Sequence, residues 1–274
     1  MSLKAYQQFW AHVGQHFPDL GGAESTRLYA ANEQRLFTDH FSPLEGRSIL
    51  KTDLWDEARN TRILVWAETH GARVYGIDIS APTVVMAAEN FPTDADGRSA
   101  LGGVVGDVRH IPFADGSVDA IYSMGTIEHF EATDQAIDEM YRVLRPGGRA
   151  IIGVPNRWDP FLRPLMSTLL QWVGLYAYGE EKSYSRSTFR RMLQDAGFVV
   201  DHETAILFIP GWLRMLDLAC HTWCRPLAVV TGAMVRPFVW LDRHVPAVRR
   251  HGYLLATVVS KPVQNSTVSS GTGR

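Results

Sequence analysis

The sequence predicts a doubly wound, mostly parallel seven-stranded α/β sheet with an N-terminal helical cap and helical insertions. Two observations predict it. From about residue 44 onward, short apolar runs of strand length alternate with stretches of helical periodicity, and parallel strands need such helical crossovers. The apolar runs are short and nearly continuous, as expected of strands covered on both faces.

The elements follow in order. Residues 4–17 and 24–40 have helical spacing of apolar groups and are punctuated by Phe17, Pro18 and Gly21-Gly22, which gives a helical cap over 1–43. "RSILKTDL" (47–54) is a buried strand, and "DEARNTRILVWAETHG" (56–71) is a helix that stops at Gly71. "RVYGIDIS" (73–80) is the second strand. "APTVVMAAENF" (81–91) is a helix with Ser80 as N-cap and Pro82 in its first turn. "GGVVGDVRHIPF" (102–113) holds the third strand and a loop. "SVDAIYSMG" (117–125) follows the Asp115-Gly116 turn as the fourth. In "ATDQAIDEMYRVLRPGG" (132–148), Ile137, Met140, Tyr141 and Leu144 share one helix face, and Pro146-Gly147-Gly148 ends the element. "RAIIGVPN" (149–156) is the fifth strand. An insertion at 156–182 precedes a helix, "SRSTFRRMLQDAGF" (185–198), and a strand, "VVDHETAIL" (199–207). A second insertion covers 205–241, and "GYLLATVVSKP" (252–262) is the last strand. The α/β domain thus spans 44–263. Residues 264–274 are small and polar, the composition of a disordered tail.

Composition narrows the function. A chain of 274 residues that is 46% hydrophobic suffices for one large α/β domain or two small ones. A net charge of −2 offers no basic face for nucleic acid. Cys220 and Cys224 are the only cysteines, so no disulfide framework is expected and the cytoplasm is the natural compartment. The opening "MSLKAYQQFWAHVGQHF" lacks the apolar core of a signal peptide, and no apolar run is long enough for a transmembrane helix. "CHTWC" (220–224) has poor metal spacing and no supporting ligands, so no metal site is expected.

Ligands of open α/β sheets bind beyond the carboxyl ends of the strands, near the point where strand order reverses. Strand one ends at Lys51, Thr52 and Asp53, strand two at Asp78, strand three at Asp107, and strand four at "SMGTIEHF" (123–130). A carboxylate ending strand two can accept from both hydroxyls of a ribose. One a strand further over can accept from an adenine amine. Asp78 and Asp107 fit those two roles; acids also follow strands simply as caps and turn formers.

With those residues in place, the chain resembles the class I S-adenosylmethionine-dependent methyltransferases of the small-molecule type. "VYGIDIS" is similar to that family's ribose-binding strand end. "VVGDVRHIPFADGSVDAIYS" is similar to its adenine loop and fourth strand, and "YRVLRPGGRAIIGVPN" to its helix, turn and fifth strand. The resemblance covers about residues 44–156, and "AGFVV" with the last strand extends it. It implies S-adenosylmethionine as cofactor, a Rossmann-like methyltransferase fold, Asp78 with Ile79 at the ribose, Asp107 with Val108 at the adenine, and Ser123 and Met124 at the end of the fourth strand.

The first strand departs from the pattern. The family has an acid followed by spaced glycines; this chain has Lys51, then Thr52, Asp53, Leu54, Trp55, Asp56 and Glu57. Two outcomes are open. Either ligands are exchanged, with Lys51 meeting the methionine carboxylate and Asp53, Asp56 or Glu57 the ammonium, or the bulk fills the pocket and the domain is a catalytically silent partner or regulatory protein. A strand ending in Lys-Thr-Asp favours the first, because unpaired buried charge is costly. A cofactor-binding enzyme doing non-methyl chemistry, such as cyclisation, is a third reading.

Methyl transfer needs an acceptor held in line and, for oxygen or carbon acceptors, a base. His129 and Glu128 are the catalytic candidates, His129 the better by titration range; packing and capping roles are the alternatives. Tyr184 and Ser185 are placed where the first insertion returns to the sheet, Ser185 as a helix N-cap, and Arg27 and Tyr29 of the cap are candidates to touch the cofactor. The two insertions should form the pocket of a small or lipid-linked acceptor. Residues 205–241 carry Trp212, Trp223 and Trp240 with Arg214, Arg225 and Arg236, which suits either a buried helical lid or an amphipathic pair in peripheral contact with a membrane. The sequence leaves the oligomeric state open.

Overall fold

The structure is a computed structural model and describes residues 3–16, 18–172, 174 and 181–263. The tail from Gln264 and part of the first insertion lie outside them.

Seven strands form one sheet: β1 (Ser48–Lys51), β2 (Arg73–Asp78), β3 (Gly102–Val105), β4 (Val118–Met124), β5 (Leu144–Gly153), β6 (Val199–Ile206) and β7 (Leu254–Ser260). The order is β3-β2-β1-β4-β5-β7-β6. Neighbours from β3 to β5 run parallel, and β7 runs antiparallel to both β5 and β6. Leu50 pairs with Tyr75 of β2 on one side and Ile121 of β4 on the other, so strand order reverses at β1 and β4.

Ten α-helices are described: α1 (Leu3–His16), α2 (Glu24–Phe41), α3 (Trp55–Arg59), α4 (Ile63–Thr69), α5 (Ala81–Ala88), α6 (Thr133–Val143), α7 (Arg163–Trp172), α8 (Arg186–Asp195), α9 (Gly211–Trp223) and α10 (Arg225–His244). Alternation along the strands splits the core into two layers. Ile49, Tyr122 and Ile151 face α2, α4, α9 and α10, whereas Leu50, Ile121 and Ile152 face α6 and α8. Phe37 packs edge-on against both Phe41 and Tyr122, each at 5.0 Å between centroids. Thus α2, read as part of a separate cap, belongs to the sheet's own core.

Several boundaries differ from expectation, β3 among them, which ends at Val105 rather than Asp107. The first strand stops at Lys51 rather than Leu54. The helix expected over 56–71 is two helices, because Asp56 O accepts from both Asn60 N (2.9 Å) and Arg62 N (3.2 Å) and Arg62 is left-handed at φ 57°. The helix expected to reach Gly148 stops at Val143, and Leu144 already pairs with Val118, which draws the Pro-Gly-Gly turn into β5. Ser80 caps α5 by accepting from Thr83 N (3.3 Å), and Ser185 caps α8 by accepting from Thr188 N (3.1 Å), both as expected.

Candidate functional site

A cleft of about 230 Å³ opens beyond the carboxyl ends of β1, β2 and β4, at the reversal of strand order. Its floor comes from strand ends: Thr52 and Asp53 after β1, Asp78 and Ile79 at β2, Asp107 and Val108 in the loop after β3, and Met124 with Glu128 and His129 after β4. Its walls come from helices. Tyr6 and Trp10 of α1 close one side, and Met166, Gly211, Arg214 and Met215 of α7 and α9 close the other.

The glycine-free stretch is organised by one buried cation. Lys51 is fully buried and does not line the cleft. Its Nζ donates to Asp53 O (3.0 Å) and Oδ1 (3.1 Å), and lies 4.0 Å from Asp56 Oδ2 and 3.9 Å from Glu57 Oε1. Burial alone would lower its pKa, but Asp53, Asp56, Glu57 and Glu33 outweigh that and hold it above the ordinary lysine range. Lys51, expected at a cofactor carboxylate, thus has its charge engaged by these carboxylates inside the protein. The acids move the other way. Burial pushes Glu57 up to about 7, and it raises Asp56 and Glu33 despite the lysine. Glu33 accepts from Tyr122 Oη (2.8 Å), and Glu57 from Leu64 N (3.1 Å), so these carboxyls also tie α2 and α4 to the strand end.

The bulky residues of this stretch leave the cleft open. Leu54 is fully buried and fills the room of Gly76 on β2, where any Cβ would overlap Leu54 Cδ2. Trp55 packs with Leu20, Ala23 and Leu218 in a small satellite core along the cleft wall.

Asp78 is held by main-chain donors: Leu54 N to Oδ2 (2.9 Å) and Ser80 N to Oδ1 (2.8 Å). Burial raises its carboxyl to about 6 although those donors pull it down. Each carboxylate oxygen can accept more than one hydrogen bond, so Asp78 can still receive hydroxyls from the cleft. Asp107 is engaged differently. Arg109 Nε donates to Oδ1 (2.9 Å) and Arg109 N to the same oxygen (2.9 Å). Burial pushes Asp107 up, but the Arg109 side chain and backbone outweigh it and hold the carboxyl below its usual range. Ser123, expected in the cofactor set, is fully buried, accepts from Thr52 Oγ1 (2.8 Å) and does not line the cleft.

Beyond β4, Glu128 is almost fully buried and its Oε2 has no hydrogen-bond partner among the described residues. Burial, reinforced by Glu181, pushes its carboxyl well above the ordinary range. His129 Nε2 lies 3.9 Å from Glu128 Oε1, and Trp10 packs edge-on against the imidazole at 5.0 Å.

Several cleft residues escaped sequence reasoning. Arg163 forms a bidentate ion pair with Glu181 and stacks over Tyr253 at 4.7 Å. Arg214 stacks over Tyr29 at 5.3 Å and donates to Ser25 O (3.1 Å). Only the i, i+4 spacing of Tyr6 and Trp10 was available as a signal in one helix. Arg163, Glu181 and Arg214 meet the strand ends through tertiary packing that no local pattern encodes. Tyr29 lines the cleft as expected. Arg27 does not: it is exposed and pairs with Glu24 at 3.2 Å. Tyr184 lies behind the site, 3.2 Å from Thr133 Oγ1. Cys220 and Cys224 are free thiols, and among the described residues no group of three or more potential ligands could hold a metal ion.

Comparison with known proteins adds the following. Residues 58–152 match the family model described as a methyltransferase domain. The chain is 39% identical over 84 residues to the biotin biosynthesis bifunctional protein BioHC of Cellvibrio japonicus, covering 31% of this chain and 16% of that one. It is 27% identical over 196 residues to the 2-methyl-6-phytyl-1,4-hydroquinone methyltransferase of Synechocystis, covering 69% of this chain and 58% of the relative. The chain thus spans well under two thirds of the length of the curated relatives it matches. The fold is that of an S-adenosylmethionine-dependent methyltransferase from Mesorhizobium loti, with a TM-score of 0.57 at 15% identity over 85% of this chain and all of the other.

Proposed function

We propose, from the premise that this chain carries a class I S-adenosylmethionine-dependent methyltransferase domain, that it transfers a methyl group from S-adenosylmethionine to a small or lipid-linked acceptor. The observation that carries the proposal is the single cleft bordered by Asp78, Asp107 and Asp53, kept open because Leu54 is turned into the space of Gly76. A silent domain would have its bulk lodged there instead.

Asp78 would accept from the ribose, with Ile79 against the sugar. The loop at Asp107 and Val108 would receive the adenine, with part of Asp107's capacity already taken by Arg109. Thr52, Asp53 and Met124 would border the amino-acid half, whose ammonium suits Asp53. Its carboxylate suits Arg214, a cleft-lining cation that stacks on Tyr29. The bound sulfonium supplies an already activated methyl group. The protein aligns the acceptor and excludes water with Tyr6, Trp10 and Met215. His129 takes the acceptor's proton, and Glu128, whose Oε2 has no partner among the described residues, positions the acceptor by hydrogen bonding.

Calorimetry with S-adenosylmethionine and S-adenosylhomocysteine tests the reading, and absence of binding to both would end it. Arg214→Ala should cost about 1.5–3 kcal/mol in S-adenosylhomocysteine affinity, the range for a hydrogen bond to a charged group. It should leave 5′-methylthioadenosine, which lacks the amino-acid half, unaffected. Equal losses for both ligands would remove Arg214 from the carboxylate site.

A further inference from the structure

The two insertions leave an apolar face without a partner. On α7 and the residue before it, Leu162, Leu165, Leu169 and Trp172 are all exposed, Trp172 to 85%. Within the helix, the i, i+4 and i+7 spacing of Leu165, Leu169 and Trp172 puts them on one stripe. On α9, Trp212, Met215, Leu216 and Trp223 form a second stripe at i, i+3, i+4 and i+11, with Trp223 exposed to 81%. The opposite side of α9 buries Leu213, Asp217 and Leu218, so this helix is apolar outward as well as inward. The helices touch at Gly211, where a Cβ would meet Met166 Cε at 3.0 Å and Arg163 Cγ at 3.3 Å. On α10, Leu227, Val230 and Met234 continue the exposed apolar surface.

The charges on the same segments are one-sided. Residues 157–172 and 211–250 contain three acids, Asp159, Asp217 and Asp242, and all three are buried. Asp217 accepts from Ser25 N and Thr231 Oγ1, and Asp242 from Asn32 and Arg35, so both point inward. Every exposed Asp, Glu, Lys or Arg there is an arginine: Arg157, Arg225, Arg236, Arg243 and Arg250. Exposed tryptophans among aliphatics, flanked by unopposed arginines, are what the headgroup region of an anionic bilayer accommodates. No helix of the described residues is long and apolar enough to cross a membrane. The face can lie on a bilayer without spanning it.

We propose that this face docks the protein on an anionic phospholipid surface, and that the acceptor reaches the cleft from there. Met215 joins the two parts, because it belongs both to the outer stripe and to the cleft wall beside Met166 and Gly211. The second half of the proposal rests on the methyltransferase reading and deepens it by naming where the acceptor comes from.

The test uses the full chain and vesicles of phosphatidylcholine, with and without phosphatidylglycerol, read by co-sedimentation. The wild type should sediment with the anionic vesicles. Arg225→Gln, Arg236→Gln and Arg243→Gln combined should weaken partition on the order of a hundredfold. Trp223→Ser with Leu169→Ser should weaken it about tenfold or more. None of these residues lines the cleft, so S-adenosylhomocysteine affinity should be unchanged in all of them. Wild type left in the supernatant with both vesicle kinds overturns the proposal. So does a dimer in light scattering that the Trp223→Ser variant dissociates while vesicles are ignored. Equal partition into both vesicle kinds overturns the anionic assignment. Loss of lipid binding with cofactor binding intact leaves the methyltransferase reading standing; the reverse result removes that reading and leaves the membrane surface.

Discussion

The ends of β1 and β2 are neighbours in the sheet and are built on opposite principles. At β2, Asp78 is fixed by two main-chain N–H groups, one of them from Leu54 after β1. At β1, Lys51 is fixed mostly by side chains, with Asp53, Asp56 and Glu57 within 4.0 Å. The first arrangement uses dipoles that cannot titrate. The second uses ionisable groups whose charges depend on each other. A turn can therefore forgo glycine if its side chains find burial elsewhere and its charges close on themselves, but it then inherits their sensitivity to substitution and pH.

Three measurements sharpen or break that contrast. Lys51→Met leaves the acid cluster uncompensated and should cost about 3–5 kcal/mol of stability in denaturant unfolding; a loss under 1 kcal/mol would show that the cluster does not depend on its lysine. Asp78→Ala should weaken S-adenosylhomocysteine binding by about 1–3 kcal/mol, and an unchanged dissociation constant would remove Asp78 from the ribose. The third effect is the most gradual and concerns pH. Glu57 has a folded-state pKa of about 7 against an ordinary value of 4.5, so the folded protein retains a proton that the unfolded chain releases between those values. Stability should fall as pH rises through that window, by at most about 1.4 kcal/mol per unit for one proton. Glu57→Gln should flatten the slope, and the same slope in both proteins would sink the assignment.

The sheet was legible because its strands are short apolar runs separated by turn signals, and the acids that end them are local features. Asp78, Asp107 and the caps Ser80 and Ser185 could be placed from spacing alone. Lys51 and Ser123 could be placed at strand ends but not oriented. Whether an end residue faces the cleft or the core depends on neighbours such as Asp56, Glu57 and Thr52, which the turn brings back. The helical wall was least legible. Arg214 lies 185 residues beyond Tyr29, on which its guanidinium stacks, and neither sequence neighbourhood announces the other.

That same wall has a consequence for assembly. Asp217 holds the start of α2 through Ser25, and Asp242 holds its middle through Asn32 and Arg35. Nearly the whole sheet lies between these partners in the chain. Such nonlocal clasps close late in folding, because the loop entropy must be surmounted first. During synthesis, a nascent chain emerging from the ribosome would release β1 to β6 before α9 and α10, and β7, which pairs with both β5 and β6, only after them, so competence would arrive only when the last strand had slotted into the sheet and α10 had docked.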